Sequence, residues 1–549
     1  MPGEAEQADL VLRLPPKQRL QFLIEGPKPM ALVRALPDGD FYTTVREVDP
    51  QEALPLLALA SSSQIAHLLD LESWRGDRFD PLRCGAWVAL LVEAGEATIR
   101  RFARTIDDET LILLFRTWAR VRPLEIDHEE PTRGHGITEI GDDRGFVAPD
   151  GAHVLVPERS EHALAARRLA EVLFLDDRSR YSGIVRSALF ELPSEVEETA
   201  LRWRSSRLEE HGYPSWDDAQ SIYVPPADSP SVAAPPPEPP TEALVAPRSP
   251  LRAIAPHAAV LAAVNTLGAA ERERVLFGLN ALANRVLVAD GADAGSTEAR
   301  KAVLARTGAY VALALERRGA KAPAEAAGLL ASRSAVELFR EGYAESAALQ
   351  SRARKLAVPE AMIDPPLRTR VRLLLGPRPL HVDLAAGEGE PQARDFRTLA
   401  EIEETRATLE LIETLGAVLL ERRGTTAAAI LAEEPRPFED RPRLSTLLLT
   451  ALAWHAATGE IRIDRLPSDR VADFLRVVAS RRTADADAPS RAMERLLEAL
   501  RGEAPIAARP SASMRAFAID CLDTLAADCA QLDPGTPATP RVIGCLRLA

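Results

Sequence analysis

Four of the nine histidines, His128, His135, His153 and His162, fall in one acidic window with Glu129, Glu130, Asp142 and Asp143. Imidazole and carboxylate together suit zinc or iron. A fixed site also needs spacing that sets two ligands on one element, and neither HxH nor HExxH occurs. The window therefore reads as solvated loop and hairpin edge, and no metal or other cofactor is assigned.

A second constellation lies on PSEVEETALRWRSSRLEEHG, residues 193–212. Glu195, Glu198, Arg202, Arg204 and Arg207 share this helix with Val196, Ala200, Trp203 and Leu208. Glu198 and Arg202 stand four apart in the favourable order for an exposed ion pair. Such pairs are routine on solvated faces. The alternative is that these five residues bind a protein partner, or form a buried ion-pair surface between subdomains.

Other chemistries lack their residues. There is no GxxxxGK[ST] loop and no GxGxxG between strand and helix, so phosphate cradling has no support. The runs Gly134-His135-Gly136 and Gly387-Glu388-Gly389 open no suitable helix. The pairs Asp142-Asp143, Asp176-Asp177 and Asp217-Asp218 are adjacent in sequence and so diverge rather than face each other. VADGADAGSTEA lacks the alternate carboxylates and central glycine of a calcium loop. No GxSxG elbow occurs. Cys84, Cys521, Cys529 and Cys545 form no CxxC and are too few for a disulfide framework, which fits a reducing cytoplasm.

The frame that holds these residues is large. A chain of 549 residues exceeds one ordinary core, and 46% apolar with 27% charged residues is a globular composition. The net charge of −14 is uneven, because residues 1–224 carry 26 basic and 39 acidic side chains, or −13. That imbalance disfavours nucleic acid as a partner. The longest apolar run, Leu444 to Ala457, is too short to span a bilayer and contains His455, so it reads as a buried helix. The N-terminus has no secretory signal pattern.

Helix punctuation is dense in the first part. Asp49-Pro50 and Asp80-Pro81 place an N-cap acceptor before an N1 proline, and Ser61 with Gln64 forms a capping box. Asp107 caps ETLILLFRTWARV. Residues 49–120 thus predict four or five short helices that must stack to bury their faces. ITEI and the pair FVA…HVLV around Pro149-Asp150-Gly151 predict short strands with a hairpin turn. Ser194 with Glu197 predicts a capping box for the charged helix, with Gly212 at its left-handed end.

The sequence VPPADSPSVAAPPPEPPTEALVAPRSP marks the clearest boundary. Its prolines predict an extended, flexible spacer. The fold class expected is mostly α, with two helical domains of stacked short helices and a small β-hairpin insertion near 137–156. The domains run 1–223 and 255–549, joined by a linker at 224–254. Breaks within the second are expected at 291–297, 363–370 and 385–392, and Cys521–Ala530 lies in a late helix.

SEVEETALRWRSSRLEEHGYPSWDDAQSIY resembles a signature stretch of a bacterial family of unknown function. ASSSQIAHLLDLESWRGDRFDP is similar to the same family's early segment at Asp70, Trp74, Asp77 and Phe79. ELFREGYAESAALQSRARKL, FRTLAEIEETRATLELIETL and the terminal PRVIGCLRLA resemble it too, so the likeness covers most of the chain outside the linker. It implies patterns of helical packing and charge, and brings no activity or catalytic residue. More distantly, residues 30–120 resemble the short-helix cytoplasmic domain of a magnesium transporter.

The reading that follows is a cytoplasmic helical scaffold or regulatory protein with a protein partner and no membrane span. Its rival is an enzyme of unfamiliar type, with a site near residues 128–162 and helix 194–211.

Overall fold

The computed structural model describes residues 14–124, 138–140, 143–224, 258–382, 392–433, 441–467, 470, 471, 474, 488–503, 512–530 and 545–548. The proline-rich stretch after Val224 and nearly all of the 385–392 break lie outside them. The chain divides into two compact units, Met1–Arg340 and Glu341–Ala549. Residues 258–340 therefore fall with the first unit, whereas composition set the boundary at the proline-rich stretch.

The first unit is mostly helix. It opens with α1 (Pro16–Glu25), α2 (Pro29–Ala35), α3 (Asp38–Arg46), α4 (Leu54–Leu59), α5 (Ser62–Glu72), α6 (Pro81–Glu93), α7 (Glu96–Thr105) and α8 (Asp108–Leu113). The caps explain several of these starts. Ser61 and Gln64 close the expected capping box on α5, and Asp80 and Asp107 accept first-turn amides of α6 and α8. Asp49 caps only the turn ahead of α4, through the amide of Gln51. A two-residue hairpin, β1 (Trp74–Arg75) with β2 (Arg78–Phe79), links α5 to α6.

The helix expected to run from Asp107 to Val121 ends early. Its last turn, Leu114–Trp118, is a π-turn, and the chain then extends as β3 (Ala119–Pro123). Strands β4 (Thr138–Ile140), β5 (Asp143–Val147) and β6 (His153–Pro157) complete a four-stranded antiparallel sheet in the order β3-β6-β5-β4. Phe146 faces Leu155 and Val147 faces Val154 across the expected hairpin. Gly85 on α6 lets Trp118 pack against the helix backbone, since a Cβ there would lie 1.9 Å from the indole nitrogen.

The helices α9 (Ala163–Asp176), α10 (Arg178–Phe190), α11 (Pro193–Glu210) and α12 (Trp216–Gln220) follow. One core of buried Leu, Ile, Val, Phe and Trp side chains runs from Leu23 to Ala200 through these layers. After the proline-rich stretch come α13 (Ala258–Thr266), α14 (Ala269–Ala289), α15 (Thr297–Arg317) and α16 (Pro323–Ser332), and α17 (Ala335–Ala353) contains the division between the units.

In the second unit, α18 (Pro365–Leu374), a two-residue hairpin of β7 (His381–Val382) with β8 (Ala393–Arg394), α19 (Leu399–Leu419), α20 (Ala427–Glu433), α21 (Leu444–Thr458), α22 (Ala488–Glu503) and α23 (Ala512–Ala530) are described. The apolar run expected as a buried helix is α21, whose first ten residues are all buried except Ser445. Asp364 receives the Ser445 amide at its start, 3.1 Å away. No helix among the described residues is long and apolar enough to cross a membrane.

Candidate functional site

The charged helix α11 has two faces with different fates. Inward, Arg207 lays its guanidinium across the Asp70 carboxylate, at 2.8 Å from Nε and 2.7 Å from a terminal nitrogen. The same terminal nitrogen reaches Asp107 at 3.1 Å. Arg204 donates to the Asp70 and Gly76 carbonyls and lies 5.4 Å from the Trp74 ring centre. Burial pulls the Arg204 guanidinium down to about 10. Burial also pushes the Asp70 carboxyl up, against the pull of Arg207. These two arginines join α11 to α5, the β1–β2 hairpin and the start of α8.

The helix start departs from the expected capping box. Leu192 is at N-cap with no side-chain bond, and Pro193 is already helical. Glu197 instead accepts the Phe79 amide at 2.8 Å, so its carboxylate fastens the hairpin. The C-terminal end follows the expected pattern: Gly212 has φ +77°, and the Tyr213 amide returns to the Leu208 carbonyl.

Outward, Glu195 is exposed and Glu198 pairs with Arg202. Leu192, Glu195, Thr199 and Trp203 follow one another at steps of three or four, hence on one stripe of the helix. Leu192 is 60% exposed and Trp203 53%, and Phe190 at the end of α10 reaches 79%. Of the five residues singled out in the sequence, three lie on this outer face and two are engaged within the fold.

A second polar cluster was not legible. On α5, Gln64, His67, Asp70 and Glu72 are all buried. Glu72 gathers partners from two helices, α3 and α6: it accepts from the Tyr42 hydroxyl at 2.7 Å, Arg83 at 2.8 Å and the Trp87 indole at 3.2 Å, and pairs with Arg46 at 3.1 Å. The Glu72 carboxylate and burial together hold the Tyr42 hydroxyl far above its ordinary range. The other ends of this network reach residues 290–300. Arg46 pairs with Asp293, and Arg300 with Glu47 and Thr43.

His67 stands beside it, 2% exposed, with neither ring nitrogen hydrogen-bonded among the described residues. Its ring centre is 4.3 Å from that of His211. Burial, with His211 adding to it, holds His67 down to about 3, so it is neutral.

The histidine window is only partly described. His128, His135, Glu129, Glu130 and Asp142 lie outside the described residues. His153, on β6, places Nδ1 2.7 Å from the Asp150 carboxylate in the hairpin turn. His162 accepts the Trp118 indole N–H at 2.9 Å, and burial lowers its affinity for a proton. Among the described residues, no three His, Cys, Asp or Glu side chains could hold a metal ion. A shallow groove of about 390 Å³ runs along α7, lined by Glu96, Arg100, Arg101 and Arg104, but its arginines already pair with Glu96, Asp176 and the Ala58 carbonyl.

The model of a family described as "Family of unknown function (DUF6178)" matches residues 3–549, and the chain belongs to that family. No curated protein and no solved structure matches it.

Proposed function

We propose that this chain is a scaffold or regulatory protein that holds a protein partner on the outer face of α11. The observation that carries the reading is the stripe of Leu192 and Trp203 with Phe190 at its head, exposed beside Glu195, Glu198 and the Arg202 guanidinium. Exposed tryptophan and arginine are the side chains most enriched among residues that dominate protein interfaces. The inner face of the same helix is fixed by Asp70, so the stripe is presented on a rigid element. The buried thiols of Cys84 and Cys521, in no disulfide among the described residues, support a reducing compartment such as the cytoplasm.

The test is affinity capture with the full chain against Trp203→Ala and Phe190→Ala, with Ile519→Ala as an exposed apolar control. A protein retained by the wild type and the control, and lost from both α11-face variants, supports the reading. Equal retention by all four chains rejects it.

One observation favours an enzyme instead. The Asp150 carboxylate orients the His153 ring through Nδ1, which leaves Nε2 for proton transfer. Screening ester, amide and phosphoester model substrates with wild type and His153→Gln separates the two readings. Turnover abolished by that substitution favours the enzyme. The Arg204 and Arg207 groups are occupied by Asp70 and Gly76, so helix 194–211 offers this chemistry little.

A further inference from the structure

We propose that the His67–His211 pair is a proton-sensitive clasp that fastens the C-terminal end of α11 onto α3 and α5. His67 sits on α5 under residues 211–213, its ring 4.3 Å from His211, 6.0 Å from Tyr213 and 6.3 Å from Tyr42. Burial leaves it no water, and it has no hydrogen-bond partner among the described residues to take up a charge. A buried polar group without partners is held in place by what surrounds it, because its own solvation opposes the arrangement.

The charged and titratable groups around the pair come from every packed element. From α3 they are Asp38, whose carboxylate is 3.6 Å from His211 Nε2, and Asp40 and Tyr42. From α15 the Arg300 charge acts on Tyr213, whose hydroxyl burial pushes up to about 12. On α5 itself Asp70 and Glu72 are engaged by Arg207 and by Arg46 with Arg83. Of these carboxylates Asp38 faces His211, and Asp40 acts on Tyr213.

The two rings therefore differ in what a proton does to them. His211 is about a third exposed, with the Asp38 carboxylate 3.6 Å from its Nε2, whereas His67 is buried and has no hydrogen-bond partner among the described residues. A proton on His67 would place a charge out of water, 4.3 Å from the His211 ring. Opening relieves this by giving His67 solvent. The closed state holds His67 near 3, against an ordinary 6.5, so the open state binds more protons between those values. Opening is favoured as pH falls through that range and suppressed above it. The Asp38 carboxyl, raised by burial, takes up its proton more readily in the closed state and so opposes the effect in part.

The segment that would lift is defined by its bonds. The Gly212 carbonyl accepts from Asn284 at 3.3 Å, and the Tyr213 amide donates to the Leu208 carbonyl, so residues 208–213 connect α11 to α14. Lifting them would loosen both.

Hydrogen exchange of the full chain, read as protection factors from neutral pH to about pH 5, tests this. In wild type, protection of residues 208–213 falls with pH, by up to about tenfold per unit when opening takes up one proton. His67→Phe keeps a ring that cannot charge and flattens the dependence, whereas His211→Gln leaves the burial of His67 in place and flattens it only in part. Asp38→Asn moves its onset to higher pH. Protection of α19 is the reference for general acid unfolding and stays level. An unaltered pH dependence in His67→Phe overturns the proposal, as does an equal fall in α19.

Discussion

Arg207 and Asp70 form a two-point ion pair, 2.8 and 2.7 Å, between residues on α11 and α5. The carboxylate is almost wholly out of solvent, and its pairing gives α11 an inner face as fixed as a core helix. Replacing Arg207 with Ala leaves that carboxylate buried without its counter-charge, and we expect a loss of about 3–5 kcal/mol in urea unfolding. Arg207→Lys keeps the charge but not the fork, and falls between. A loss below about 1 kcal/mol for the alanine variant would place the pair among ordinary surface bridges.

Glu72, at the end of α5, binds α3 and α6 through three hydrogen bonds and the Arg46 ion pair. Glu72→Gln keeps the shape but cannot balance Arg46 and Arg83. We expect about 3 kcal/mol of destabilisation. Because the Arg46–Asp293 pair is an extension of the same network, protection of residues 293–297 should fall in the same variant when followed by hydrogen exchange.

Gly85→Ala puts a methyl group where the Trp118 indole lies. Overpacking of this kind costs about 1–3 kcal/mol, with more if the ring must move. Trp118 would also lose its bond to His162, so near-ultraviolet circular dichroism should change along with the unfolding midpoint. An unchanged midpoint would mean that the indole has another seat.

Burial pushes the Cys84 thiol up to about 12, from an ordinary value of 9.0, and pushes Cys521 up as well. The thiolate fraction of Cys84 is then lower by about a thousandfold. Maleimide labelling followed by peptide mapping should find Cys84 and Cys521 unmodified in the native chain and modified in denaturant. Rapid native labelling of Cys84 would contradict its burial on α6 beside Ser73.

The elements that local chemistry dictates were legible. The Ser61–Gln64 box, the Asp80 and Asp107 caps, the hairpin around Asp150-Gly151 and the left-handed Gly212 each depend on residues within a few positions of one another. What was not legible depends on distant partners. Ser194 with Glu197 has the capping-box spacing, but the hairpin amide of Phe79, 118 positions away, takes the Glu197 carboxylate. ETLILLFRTWARV has helical periodicity, yet its last residues find β6 as a strand partner. His67, Asp70 and Glu72 carry no local signal of burial. They lie inside because Arg207, His211 and Tyr42 arrive from elsewhere to meet them. The outer stripe of α11 was legible as charge, and its exposure followed only from seeing which arginines turn inward.

The Glu72 network and the Arg207–Asp70 pair also differ in how far the chain must travel to make them. The Glu72 donors Tyr42, Arg46, Arg83 and Trp87 lie within 30 residues of it, so this network closes over short loops and can form early. Arg207 reaches Asp70 only across 137 positions, after the sheet and two further helices have been laid down. Docking of α11 is therefore a late step in folding, and substitutions at Arg207 should speed unfolding while leaving the folding rate nearly unchanged. The surface offered to a partner would then exist only on chains that have finished folding.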